Sequence, residues 1–235
     1  MTNTTQKNLL LGQLGADDAA ALSSHLSPFD FEAGDEFGHA GDDVSHIYFV
    51  DHGIISAVSM MADGESAEVY MVGSEGFTGV TAWQVPSGTS VRFFCHLAGS
   101  AQRIEATKLR ELASDRAELR KALAGYDAAL LVELEQTVPC NALHSAAQRF
   151  AKWLLRAHDR ADGDTLFMTQ DFLAKMLGVQ RTTVNEAAQA LAGLGAITYA
   201  RGRVRIRDRT ALERAACECY VAPLSPETDL LVGAV

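Results

Sequence analysis

The chain has 235 residues, 48% of them hydrophobic and 21% charged, with a formal net charge of −10 at pH 7. That composition fits an ordinary globular protein of two modest domains and excludes collagen-like and disordered classes. No stretch approaches the roughly 18–20 consecutive apolar residues that a membrane span needs. The opening segment, MTNTTQKNLLLGQL, has one lysine and too short an apolar run for a secretory leader, so a cytoplasmic location with no membrane partner is expected. The four cysteines, at 95, 140, 217 and 219, look too few and too scattered for a disulfide framework. Cys217 and Cys219 are one residue apart, which is not a zinc-knuckle spacing, so idle thiols are expected, with no metal and no cofactor.

In chain order, Leu9 to about Leu26 carries short helical periodicity. From Phe29 to about Ile104 short apolar-alternating runs follow, at Ile47–Val50, Ile54–Met60, Glu68–Val72 and Val91–Leu97. Turn clusters separate them: Ala40-Gly41-Asp42-Asp43, Asp51-His52-Gly53, Ala62-Asp63-Gly64-Glu65 and Pro86-Ser87-Gly88. Many short strands with Gly/Asp turns predict an antiparallel barrel or jelly roll. From Ala106 to about Val138 the period becomes helical, with Pro139 expected to interrupt or kink the helix. Its residues Leu119, Leu123, Tyr126, Leu130 and Leu134 run near heptad spacing. They could cover the barrel, but a two-stranded seam between two copies of the helix is the favoured expectation. A third helix, Ser145 to about His158, carries Phe150, Trp153, Leu154 and Leu155.

The densest signal lies between Thr169 and Ile206. Thr169 is a good N-cap, and Phe172, Leu173, Met176 and Leu177 give a short helix one apolar stripe. Gly178 permits a tight turn. A second helix follows, with Val184, Ala187, Ala188, Leu191 and Leu194 expected inward, and Gln180, Arg181, Thr182, Asn185, Glu186 and Gln189 outward. Gly193 and Gly195 close it. Two alternating strands, Ile197–Tyr199 and Val204–Ile206, flank a turn holding Arg201, Gly202 and Arg203. This is the pattern of a helix-turn-helix with a basic wing, a unit that lays its second helix in a DNA major groove. A plain helical hairpin in a core would not need so polar a start to its second helix, nor a basic wing tip. The expected contacts to double-stranded DNA are Thr169, Gln170, Gln180, Arg181, Thr182, Thr183, Asn185, Glu186, Arg201 and Arg203. Residues 210–220 read as a terminal helix, and residues 221–235 hold two prolines and an apolar end.

The negative total charge conceals an asymmetry. Residues 144–214 hold 12 Lys/Arg against 7 Asp/Glu, a balance of +5, while the remainder carries −15. Basic charge is therefore concentrated where phosphates would be met. Enzymatic chemistry has no visible centre. His39, His46, His52 and His96 include no His-x-His pair, and neither a nucleophile–base pair nor a phosphate loop is present.

Barrel, long helix and winged helix-turn-helix together resemble the Crp/Fnr family of bacterial transcription regulators over essentially the whole chain. The resemblance is carried by IYFVDHGIIS at 47–56, RFAKWLLRAHDR at 149–160, Met168 to Val184, and Ile197 through Arg209. It implies an α+β chain with three parts. Residues 1–108 form a cyclic-nucleotide-binding-like jelly-roll barrel, 109–141 a long dimerisation helix and hinge, and 142–235 a winged helix-turn-helix with a tail. It further implies a homodimer reading a palindromic site, with a small-molecule effector and RNA polymerase as partners. A barrel module that senses a small molecule and acts mainly through protein contacts is the alternative.

The chain also departs from the family. Cyclic-nucleotide binders hold the ribose with a glutamate after a Phe-x-Gly turn and the phosphate with an arginine. Here Phe77-Thr78-Gly79 resembles that turn, which puts Val80 at the glutamate position and Thr89 at the arginine position, with Arg92 three residues on. Cyclic nucleotide binding in the usual manner is therefore not expected. No cysteine precedes Cys95, which argues against the family's iron–sulfur cluster, and Cys95-His96 is the only adjacent pair that could tempt a haem. In the second helix Arg181 matches the family's first arginine, while Thr182 and Glu186 replace its glutamate and second arginine. A different half-site is expected.

Overall fold

The computed structural model describes residues 8–86 and 88–220. Ser87 of the Pro86-Ser87-Gly88 turn and the 221–235 tail lie outside the described residues. The chain divides into two compact units, one holding residues 8–57 and 70–132, the other 58–69 and 133–220.

The first unit opens with α1 (Leu9–Gly12) and α2 (Ala16–Ser23). Asn8 caps α1 by accepting from Leu11 N at 3.0 Å, and its buried amide donates to Val50 O and Gly76 O at 2.8 and 2.9 Å. One side chain thus both starts a helix and ties it to the sheet. The strands are β1 (Ser27–Phe31), β2 (Glu36–Phe37), β3 (His46–Met60), β4 (Ser66–Val72) and β5 (Arg92–Glu105). They form one five-stranded sheet of order β1-β5-β3-β4, with β2 also paired to β5, so the expected jelly-roll barrel is barrel-like without being closed. The expected turn at Asp51-His52-Gly53 is instead continuous strand. Gly53 has φ +92°, and a Cβ there would lie 2.7 Å from Leu97 O. At Gly99 a Cβ would lie 1.9 Å from His52 O. The two glycines let adjacent backbones approach closely and bend β3 without breaking it.

The long helix expected from Ala106 is two helices, α3 (Ala106–Asp115) and α4 (Ala117–Leu143), because Arg116 takes an extended conformation between them. Pro139 lies inside α4 rather than ending it. Pro139 is exposed, so the backbone carbonyl it deprives of a partner can face water.

The stripe expected to join two copies is covered by the chain itself. Leu119 and Leu123 are 0% exposed, Tyr126 7% and Leu130 6%, and Leu134 is half-buried. Leu119, Leu123 and Tyr126 belong to one core with Leu10, Phe49, Phe77 and Trp83. The near-heptad spacing therefore marks the face that α4 lays on its own sheet. Leu119, Leu123, Tyr126 and Leu130 are therefore not free to form the expected dimer seam, while Leu134 is half-covered. The opposite face carries a second heptad series, Ala124, Ala128, Leu131, Glu135, Val138 and Ala142, all exposed.

The second unit contains the end of α4, then α5 (Ala146–His158), β6 (Thr165–Phe167), α6 (Gln170–Leu177), α7 (Arg181–Gly193), β7 (Ile197–Ala200), β8 (Arg203–Ile206) and α8 (Arg209–Ala215). Ser145 and Gln148 form a capping box that starts α5. Phe150, Leu154 and Leu155 on α5 are fully buried, as are Leu173 and Val184 on the two following helices. Leu194, expected inward, is 62% exposed, because it caps the end of α7 where the apolar stripe has run out. The terminal helix is shorter than expected. It stops at Ala215, and Ala216 is extended.

Candidate DNA-binding surface

Gly178 ends α6 in the left-handed conformation with φ +61° and turns the chain into α7. Thr169 caps α6 by accepting from Phe172 N at 3.1 Å, so its hydroxyl is engaged with the backbone. Gln180 is the N-cap residue of α7 but makes no side-chain cap bond. Gln180, Arg181, Thr182, Asn185 and Glu186 are exposed, Thr183 is half-buried, and Val184 beneath them is buried. The first turn of α7 thus offers a polar row over an apolar anchor.

Two contacts join this row to α6, and a third joins the wing tip to the start of α6. Arg181 Nε lies 2.9 Å from Asp171 Oδ1, and both side chains are more than half exposed. Gln170 Nε2 donates to Asn185 Oδ1 at 3.5 Å. Met168 N donates to Gly202 O at 2.8 Å, which seats the tip of the wing against the start of α6. The Tyr199 phenol on β7 registers the same neighbourhood. Burial raises its pKa, the Arg181 charge opposes that rise and the Asp171 charge adds to it.

The wing is a three-stranded sheet of order β6-β8-β7. Ala200 pairs with Arg203, leaving Arg201 and Gly202 as a two-residue loop with φ +50° and +72°. Positive φ at both positions is the type I′ geometry that suits a twisted hairpin. Arg201 is the only non-glycine with positive φ among the described residues. Its conformation projects an exposed guanidinium from the tip at a steric cost. Arg203 lies over the exposed ring of Phe167, 5.1 Å from its centroid. Phe167 and Asp171 were not anticipated from the sequence. A lone aromatic in a short strand and an acid in a first helical turn carry no signal until the fold brings the arginines to them.

The basic surplus of residues 144–214 is not all available to DNA. Arg149 donates to Leu177 O at 3.0 Å, and Arg156 is paired with Glu133. Arg209 bonds Asp159 at 2.7 Å, Glu213 at 2.9 Å and the Tyr220 hydroxyl at 2.6 Å. Lys175, Arg181, Arg201, Arg203, Arg205, Arg207 and Arg214 are the exposed members.

In the first unit, the positions where a nucleotide ligand would be held are otherwise engaged. Val80 packs on the core, and the Thr89 hydroxyl bonds Val91 O at 2.9 Å. Arg92 Nη1 pairs with Glu36 at 3.2 Å. Aromatic rings crowd the nearby interior: Phe37 stands 4.6 Å from Tyr48 and 5.9 Å from Phe93, centroid to centroid. The cleft left between these rings, Ser45, His46 and Thr89 measures about 50 Å³. Cys95 and His96 are both buried. Burial pushes the thiol up to about 12 and the imidazole down to about 4.

The expectation of scattered cysteines needs correction. Cys140, Cys217 and Cys219 converge with His144, their ligand-type atoms all within 4.8 Å of one another. The sequence hides this because the two pairs are more than 70 residues apart, and only the turn after α8 returns Cys217 and Cys219 to the end of α4.

A helix-turn-helix whose second helix stands beside a basic wing defines a winged-helix DNA-binding domain. Residues 148–215 match the family model of the Crp-like helix-turn-helix domain. FixK2 from Bradyrhizobium japonicum is similar in structure, with a TM-score of 0.69 and 17% identity over 82% of this chain and 98% of its own. The c-di-GMP responsive global regulator CLP of Xanthomonas campestris gives 0.68 and 17%, over 83% of this chain and all of its own. A CRP-family transcriptional regulator of Thermus thermophilus, TTHB099, gives 0.68 and 19%, over 83% and 99%. At these identities the likeness is one of fold. No curated protein sequence matches the chain significantly. The chain carries the Crp-like helix-turn-helix domain and has the fold of Crp/Fnr transcription regulators. Among the described residues no helix is long and apolar enough to cross a membrane.

Proposed function

We propose that the protein is a homodimeric transcription regulator that reads a palindromic DNA site through α7, under an effector other than a cyclic nucleotide. The observation that carries this reading is the continuous surface made by the start of α6, the start of α7 and the wing tip, tied together by the Asp171–Arg181 pair and the Met168–Gly202 bond. Arg181 reaches a base edge, with a guanine as its natural partner. Thr169, Gln170, Gln180, Thr182, Thr183, Asn185 and Glu186 line the same turn or its entrance and set register and the remaining base choice. Arg201 and Arg203 meet phosphates.

The dimer forms through the outer face of α4, where Leu131 is 56% exposed and Val138 72%. Heptad spacing with apolar and small residues suits two helices packed side by side. The pair would present two α7 helices about one DNA turn, roughly 34 Å, apart. Val80 packed on the core, Thr89 bonded to Val91 O and Arg92 paired with Glu36 leave no acceptor for a ribose and no unpaired arginine for a phosphate at those positions, which supports an effector unlike a cyclic nucleotide. RNA polymerase is the further partner that a regulator of this type would engage. Footprinting of the protein across its own chromosome tests the reading. Recovery of a shared palindromic sequence upstream of genes supports it, and uniform recovery of unrelated DNA contradicts it.

A further inference from the structure

Among the described residues one cluster outside the DNA-binding surface has the composition of a metal site. Cys140 and His144 stand four residues apart at the C-terminal end of α4, so both side chains share one helix face. Cys217 and Cys219 come from the turn that follows α8. Cys140 Sγ and Cys217 Sγ are 3.6 Å apart, and Cys219 Sγ is 3.5 Å from His144 Nδ1. A tetrahedral zinc with Zn–S bonds of about 2.3 Å and a Zn–N bond of about 2.05 Å has edges of about 3.8 Å between sulfurs and about 3.6 Å between sulfur and nitrogen. Two of the six edges of such a tetrahedron are therefore already matched, and no pair of ligand atoms is more than 4.8 Å apart.

The surroundings match the chemistry. His144 directs Nδ1 toward the thiols, while its other nitrogen, Nε2, meets Glu218 Oε1 at 3.2 Å. Such a carboxylate fixes the tautomer and orientation of a metal-binding imidazole. Lys152 Nζ donates to Cys140 Sγ at 3.3 Å, and Gln136 Nε2 donates to Cys219 Sγ at 3.0 Å. These donors would stabilise thiolates, and Lys152 would offset the net negative charge of three thiolates on one divalent cation. Cys140 and Cys217 are buried, at 0% and 3% exposure, and Cys219 is partly so. An iron–sulfur cluster would hold its ligands farther apart than the 4.8 Å that contains all four here, so a single ion is indicated.

We propose that Cys140, His144, Cys217 and Cys219 bind one zinc ion in a closed Cys₃His site that clamps the turn after α8 onto the end of α4. Four protein ligands leave no open position, which makes the role structural rather than catalytic. Binding displaces up to three thiol protons to solvent and involves no change of oxidation state. The site does not depend on the DNA-binding reading, because no ligand belongs to α6, α7 or the wing.

The full-length protein, purified under reducing conditions and supplied with zinc, tests this by metal analysis and zinc X-ray absorption. One zinc per chain with three sulfurs and one nitrogen is expected, and the cobalt-substituted protein should show the visible spectrum of a tetrahedral thiolate site. Cys140→Ser combined with Cys219→Ser should abolish stoichiometric binding, whereas Cys95→Ala should retain it. Glu218→Ala should weaken zinc binding about 10- to 100-fold by freeing the imidazole. If the double variant does not fold, the wild-type absorption spectrum and the Glu218→Ala titration decide the matter. Absence of stoichiometric zinc in the wild type, an oxygen-dominated coordination shell, or a Cys140–Cys217 disulfide formed in preference to metal binding would overturn the proposal.

Discussion

Arg181, the first residue of α7, is held 2.9 Å from Asp171, in the first turn of the preceding helix. Both side chains are more than half exposed, so the pair contributes about 0–1 kcal/mol to stability. Its consequence is for binding. Asp171 pre-positions the guanidinium but also adds a negative charge where phosphates approach. Asp171→Asn should raise affinity for random DNA a few-fold and narrow the margin between specific and random sequences. Arg181→Ala should lose about 1–3 kcal/mol on the preferred site and relax one base position. Equal losses on preferred and random duplexes would reduce Arg181 to a phosphate contact.

The wing tip should separate stability from function. Arg201 occupies a left-handed conformation that glycine adopts without steric penalty. Arg201→Gly is expected to raise unfolding stability by up to about 1 kcal/mol. The same change should weaken binding on every sequence and lower the slope of log affinity against log salt by about one. Thermal melts and salt titrations on one preparation read both effects, and a fall in stability would show that the Arg201 side chain supports the hairpin.

Neighbouring leucines on α4 should behave oppositely. Leu130→Asp places a charge where the side chain is 6% exposed and should unfold the first unit, at a cost of several kcal/mol. Leu131→Asp alters a side chain that is 56% exposed and should leave the fold intact while producing monomers by sedimentation. Dimers persisting in folded Leu131→Asp protein would place the interface elsewhere.

Asp127 should make stability depend on pH. Its carboxylate accepts from Trp83 Nε1 at 2.8 Å and Gln84 Nε2 at 2.7 Å, while its second oxygen, Oδ1, is buried without a partner. Burial raises its pKa from 3.8 to about 6, against the lowering by the two donors. The folded state thus holds the proton more tightly than the unfolded chain. The stabilisation is fully present below about pH 4 and is lost as pH rises to about 6. Allowing for partial exposure, the loss is about 1–2 kcal/mol. Asp127→Asn keeps an acceptor for Trp83 and removes the charge. It should flatten the profile over that range and raise stability at pH 7. An unchanged profile in denaturant titrations would show that Asp127 is solvated.

The helix-turn-helix was legible because local rules act over a few residues. Thr169 as cap, the Gly178 turn and the buried spacing of Val184, Ala187, Ala188 and Leu191 all appear as read. The misreadings arose where distant contacts decide. Residues 117–143 carry heptad series on two faces, and sequence spacing alone does not tell which face meets the chain's own sheet. Asp51-His52-Gly53 reads as a turn, but the opposing Gly99 lets the strand run through. Charge counting could not distinguish Arg209, locked to Asp159, from Arg201, free at the wing tip. The thiols of Cys140 and Cys217 became neighbours only through the return of the chain after α8.

Recognition of DNA by a pair of α7 helices is read out by equilibrium binding to a duplex carrying the palindrome recovered by footprinting, and to a scrambled duplex, over a series of salt concentrations. The expected result is two chains per palindrome and affinity at least about 10³-fold above the scrambled sequence, falling steeply with salt. One chain per duplex, equal affinity for both duplexes, or affinity insensitive to salt would contradict it.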